Sequence, residues 1–202
     1  MKLYTSPGAC STADHIVLEW IGKPYQVQVV TREMRATPEF RALNPAGAVP
    51  VLEDDGWVLT QNMAILHYLT DLNPEAKLDG DGTPRGRAEV NRWLAFVNAD
   101  LHPAFKPLFG STAYLDDAAA IDKSKDNARA TLRMLFGRAN EQLGKHEWIA
   151  GKTRSIADPY LFITSRWTKG VGVDLGGYEH LARFCARMEA DPAVQKVLAV
   201  TA

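Results

Sequence analysis

The sequence predicts an α/β domain built on a mixed four-stranded sheet, followed by a domain made only of helices. Three observations carry that prediction. The first part of the chain alternates strand-like and helix-like runs. Residues 49–60, VPVLEDDGWVLT, place Asp55-Gly56 between two apolar arms, the strongest short hairpin signal a sequence offers. After residue 86 every apolar pattern has helical spacing.

Each element has its own reason. KLYT (2–5) is a short apolar strand. The run from Ala13 to Ile21 is a helix, with Ile16, Val17, Trp20 and Ile21 on one stripe and Gly22 as its stop. YQVQVV (25–30) alternates polar with β-branched residues and reads as a strand. Two strands joined through a helix imply a right-handed crossover and parallel pairing. TPEFRALN (37–44) is a short helix opened by Thr37 as N-cap and Pro38 at the first helical position. The hairpin adds two antiparallel strands. NMAILHYLTDL then forms a helix with Ile65, Leu66, Leu69 and Leu72 on one face. The α/β order is thus βαβαββα, with a first domain over 1–78, a Gly- and Asp-rich linker over 79–85 and a helical domain over 86–202. There, Val90, Leu94, Val97 and Leu101 form one stripe, and Leu132, Leu135, Phe136, Ala139 and Leu143 another. Ser155 to Trp167, Tyr178 to Glu189 and a short run from Asp191-Pro192 complete the helices.

Bulk properties narrow the class. A net charge of −1 with no basic block argues against a nucleic-acid partner. No apolar run reaches the ~18 residues that span a membrane. The N-terminus, MKLYTSPG, carries no secretory pattern, so the expected location is the cytoplasm. Two cysteines, Cys10 and Cys185, make no disulfide framework. His15, His67, His146 and His180 are scattered without metal-ligand spacing, so no metal site is expected.

Cys10 stands between the first strand and the first helix. A thiol at a helix N-terminus meets unpaired N–H groups and the positive end of the dipole, which lower its pKa. By position alone it reads equally well as a small core residue closing a turn. Pro7 and Ala13 stand three residues to either side, so no dithiol pair is available locally. Val49-Pro50 opens a strand, where proline donates nothing to a ladder. A cis bond there would leave the Val49 backbone free to pair with a peptide-like ligand, and the sequence does not choose between cis and trans. Ser155-Ile156-Ala157-Asp158 reads as a capping box in which Ser155 accepts from the backbone near Asp158 and Asp158 reaches back. Pro159 lies one position deeper than proline favours.

Taken together, the motifs YTSPGACS (4–11), NPAGAVPVL (44–52), LTQNMAILHYL (59–69), ADLHPAF (99–105) and HEWIAGKTRSIADPYLF with RW (146–167) resemble the glutathione S-transferases, most closely the bacterial beta class. The resemblance implies a thioredoxin-like first domain that binds glutathione as co-substrate, a helical second domain and a homodimer. It implies that Cys10 contacts the glutathione sulfur, with Ser11 beside it, and that Arg35 stands near the glycyl carboxylate. Val49 would pair with the cysteinyl backbone, Pro50 would be the cis proline, and Gln61-Asn62 would anchor the γ-glutamyl end. Ala99 and His102 would face the site from the second domain, with Cys10 and His102 as the catalytic pair. Phe105 and Phe109 would touch a hydrophobic electrophile, while Trp167 is expected in the core. No metal is implied.

Two departures stand out. The family has an acidic residue where this chain has Gln61, and an asparagine that reaches the partner's ligand where it has Ala95. Losing a charged hydrogen bond for a neutral one implies glutathione binding weakened by about tenfold. Besides conjugation, two other activities are open: thiol-disulfide exchange through Cys10, and non-catalytic ligand binding.

Overall fold

Strand β1 (Lys2–Thr5) sits inside a four-stranded sheet of order β2-β1-β3-β4 in the computed structural model, which describes residues 1–200. β2 (Gln26–Val29) pairs parallel with β1 after the crossover helix α1 (Thr12–Ile21). β3 (Val51–Asp54) pairs antiparallel with β1, and β4 (Trp57–Thr60) antiparallel with β3. The hairpin turn holds Asp55 at φ 46° and Gly56 at φ 82°, both left-handed, which is why Asp-Gly fits there. Gly22 closes α1 in the same conformation at φ 74°.

Side-chain alternation divides the sheet between two cores. Leu3 and Leu52 join the main one, with Ile16, Val17, Ile65 and Leu66. Their neighbours Tyr4 and Val51 turn the other way, onto a small cluster with Val30, Phe40 and Val49. Between β2 and β3 the chain forms two short helices where the sequence shows one, and the second gives Phe40 to that cluster. α2 (Arg32–Ala36) is capped by Thr31, and α3 (Pro38–Leu43) by Thr37, whose side chain accepts from Phe40 N–H. α2 escapes a periodicity search because none of its five residues is buried.

α4 (Asn62–Leu72) buries Ile65, Leu66 and Leu69, but Leu72 is 46% exposed, against expectation. The stripe ends at the helix's last residue. The buried side chain there is Asn73, which donates Nδ2 to the Leu69 carbonyl at 2.8 Å.

Beyond a Gly-rich turn the chain is helical. α5 (Pro84–Ala95), capped by Thr83, runs into a π-helical turn over Phe96–Leu101 and then α6 (His102–Ala104). Such wide turns re-aim side chains and recur at functional sites. α7 (Ala118–Leu143) buries its expected stripe. α8 (Ala157–Val171), α9 (Glu179–Ala190) and α10 (Pro192–Val200) follow, and α1 packs against α4, α8 and α10. The main core therefore runs without a break from the sheet into the helices.

Both halves of the capping box are present, the serine half one residue before Asp158. Asp158 reaches back, accepting from Ser155 N–H at 2.7 Å, and its other oxygen accepts from Ile149 N–H at 2.9 Å. The Ser155 hydroxyl accepts from Ala157 N–H at 3.4 Å, beside Asp158, and also donates to Asp158 at 2.9 Å. With α8 beginning at Ala157, Pro159 falls in the first turn, where an N–H has no intrahelical acceptor to lose.

Candidate active site

The junction between β1 and α1 places Cys10 at the mouth of α1, half-buried. The Val49-Pro50 peptide is cis, and the Cys10 thiol donates to the Val49 carbonyl at 3.7 Å. Both residues line a cleft of about 300 Å³. Gln61 and Asn62 line it from the start of α4, and His102 and Tyr160 from the helical part. Gln61 holds φ 76°, a left-handed backbone on a non-glycine residue. Such a conformation costs of order 1–3 kcal/mol and gathers at functional positions.

A larger groove of about 970 Å³ lies elsewhere, along residues 70–87 with Thr153 and Arg154. It contains no thiol, and its charges are largely paired, Arg87 with both Asp71 and Asp79. The smaller cleft brings together a thiol, a strand-edge carbonyl and an imidazole, so it is the stronger candidate. Among the described residues no group of three His, Cys, Asp or Glu side chains could hold a metal.

The electrostatics reverse one expectation. Burial pushes the Cys10 thiol up to about 12, and the charge of Asp14 pushes the same way. Hydrogen bonding by backbone N–H at Ser11 and Cys10 pulls it down but loses. A helix terminus contributes only about 0.3–1 kcal/mol near the surface, and burial can move a pKa by up to about 3–5 units. Burial and the charge of Lys106 lower the His102 pKa. Its Nδ1 lies 2.6 Å from the Tyr160 hydroxyl, which also donates to Asn98 Oδ1 at 3.3 Å. Tyr160 is itself pushed up by burial, then by Cys10 and Asp14.

Not every expected residue reaches the cleft. The Ser11 hydroxyl is fully buried against Thr5 Oγ1 at 2.8 Å, because the first turn of α1 faces the sheet. Arg35 lies on α2 outside the lining; its Nε is buried without a partner, and its carbonyl would meet a Cβ at Gly47 at 3.0 Å. Ala99 is exposed to solvent and turned away. Its neighbour Asn98 lines the cleft instead, four residues before His102 across the π-helical turn. Phe105 is fully buried beneath Phe109, so a co-substrate cannot touch it; the two rings stack with centroids 5.6 Å apart. Phe109 is 56% exposed. Trp167 packs against the main core while half-buried: it makes T-shaped contacts with Phe105, Phe109 and His102, and its Nε1 donates to the Gly8 carbonyl at 2.6 Å.

Asn98, Lys106, Tyr160 and the buried Asp14 were missed. The spacing of Asn98 and His102, and an acid inside the apolar stripe of α1, were the available signals.

Known proteins fit this architecture along the whole chain. The family model for the glutathione S-transferase N-terminal domain matches residues 9–72, and that for the C-terminal domain matches residues 93–192. Glutathione S-transferase GST-4.5 of Xanthomonas campestris pv. campestris is 56% identical over 198 residues, covering 98% of this chain and 97% of that protein. The solved glutathione S-transferase of Xylella fastidiosa superposes with a TM-score of 0.96 at 52% identity, over 99% of this chain and 98% of its own. The bacterial beta class enzyme of Sphingomonas chungbukensis superposes at 0.87 with 35% identity, over 100% and 98%. Two joined parts, a thioredoxin-like sheet and a helical bundle, define a transferase that works on a thiol. The chain belongs to the glutathione S-transferase family, with the bacterial beta class among its structural neighbours.

Proposed function

We propose that the cleft between Val49-Pro50 and His102 holds glutathione extended, and that its thiolate attacks a mostly apolar electrophile there. The observation that carries this reading is that Cys10, the Val49 edge, Gln61-Asn62 and His102 line one cleft. The cysteinyl unit pairs with the Val49 backbone as an added strand would. The γ-glutamyl end lies at Gln61 and Asn62, and Arg35 draws the glycyl carboxylate from beyond the 44–48 loop. Cys10 meets the incoming sulfur as a thiol and donates to its anion. The raised pKa of Cys10 supports that role over thiol-disulfide exchange, which needs a Cys10 thiolate. His102 poises the thiol proton from the opposite wall, and the exposed face of Phe109, backed by Trp167, receives the electrophile. In this reading the enzyme is a cytoplasmic homodimer, as the family resemblance implies.

Calorimetry tests the binding. Titration with glutathione at millimolar concentration should release heat, and Gln61→Glu, which restores an acid for the γ-glutamyl ammonium, should tighten binding by about tenfold. Absence of heat in both proteins would support non-catalytic binding of other ligands instead.

A further inference from the structure

Asp14 lies one helical turn after Cys10 on α1 and is fully buried. A carboxyl in such a place normally has a cation or a full set of donors. Here Oδ1 has no partner. Oδ2 accepts from the Asn62 amide at 2.7 Å when that amide points its nitrogen inward, and the same nitrogen donates to the Cys10 carbonyl at 3.1 Å. Asp14, Asn62 and Cys10 thus form one clamp joining the starts of α1 and α4 under the cleft.

Among the described groups around it no cation pairs with the carboxyl. From α8 comes Tyr160, an acid in its own right whose phenol is held neutral by burial and by Cys10 and Asp14. α10 brings Lys196, but it pairs with Glu19 farther along α1. His102 and Lys106 face the cleft from the other wall, and the Lys106 charge acts on His102. The charge that acts on the Cys10 sulfur is that of Asp14. Burial pushes the Asp14 carboxyl well above the usual range, so it ionises late. An ionised Asp14 opposes a negative charge on the Cys10 sulfur, in the same direction as burial.

We propose that Asp14 is a positioning residue of the sulfur site: clamped through Asn62 to the Cys10 backbone, its buried carboxyl acts with burial against a thiolate at Cys10 and helps keep it a hydrogen-bond donor. This rests on the glutathione reading only for the identity of the incoming sulfur. It also gives the site a chemical bias, towards conjugation and away from exchange at Cys10.

The test follows Cys10 alone, in a Cys185→Ser background that silences the other thiol. Alkylation by iodoacetamide is measured against pH, since the rate tracks the thiolate fraction. Asp14→Asn should move the profile to lower pH, the alkylation rate above the pH at which Asp14 ionises rising about tenfold per unit of displacement. Asp14→Ser, smaller and still able to meet Asn62, should act in the same direction. A purely structural role would lower thermal stability and leave the profile in place, and an unmoved profile in either folded variant overturns the proposal. A third arm needs no Asp14 variant. Carbon-13 NMR of aspartate-labelled protein should show Asp14 ionising below the pH at which Cys10 does. An Asp14 carboxyl still protonated at that point overturns the proposal. None of these readouts uses glutathione, so their failure is distinct from a failure to bind it.

Discussion

Asp158→Ala is expected to remove about 3–5 kcal/mol of folding stability, because it strands donors inside the protein. Asp158 is fully buried and accepts from Ile149 N–H, Ser155 N–H and the Ser155 hydroxyl. Each buried donor left without a partner costs about 1–3 kcal/mol. The carboxyl ties the 149–155 loop to the start of α8, the helix that carries Tyr160 and Trp167, so activity should fall as well. The loss should depend on pH. Burial pushes Asp158 up to about 6, outweighing the bonds from Ile149 and Ser155 that pull it down. A carboxyl raised in the folded state adds stability below its ordinary value near 4, and that addition fades as pH rises through 6. Urea unfolding should therefore show a larger gap between wild type and variant at pH 5 than at pH 7.5.

The second large effect concerns Cys10. If the thiol donates to a glutathione thiolate, Cys10→Ala removes a hydrogen bond to a charged group, worth about 1.5–3 kcal/mol. Conjugation of an aryl halide should lose about 10- to 100-fold in kcat/KM. Cys10→Ser keeps a donor and should restore most of that rate. Any deglutathionylation activity should vanish in both variants, since neither has a nucleophilic sulfur. Steady-state kinetics on the three proteins separates the two chemistries: rescue by serine marks a donor, and loss in both reactions marks a nucleophile.

Legibility in the sequence followed how local each signal was. Asp55-Gly56 specified its turn because only left-handed-tolerant residues fit both positions. Thr37-Pro38 specified a helix start through a cap within three residues. The stripes on α5 and α7 showed because one face of each is buried. α2 gave no such signal, being a capped turn with no buried face. The π-helical turn at Phe96–Leu101 was silent because its apolar residues fit an ordinary helix equally well.

In the cleft, residues that a motif marks were readable, and the partners that packing brings to them were not. Cys10, Val49 and His102 came from motifs. Tyr160 reaches His102 only because α8 packs beside the π-helical turn, a contact 58 residues apart in sequence. The Cys10 pKa went the wrong way for the same reason. The helix end is visible in the sequence, while the burial that overrules it, with Asp14 pushing the same way, is complete only once α1 is packed against α4 and α8.

The most direct test is a crystal structure with glutathione bound. The account predicts an extended tripeptide with its cysteinyl backbone paired to Val49, its γ-glutamyl end at Gln61-Asn62, and its sulfur within hydrogen-bonding range of Cys10 Sγ. A tripeptide seated elsewhere, or a sulfur turned away from Cys10 toward solvent, would contradict it.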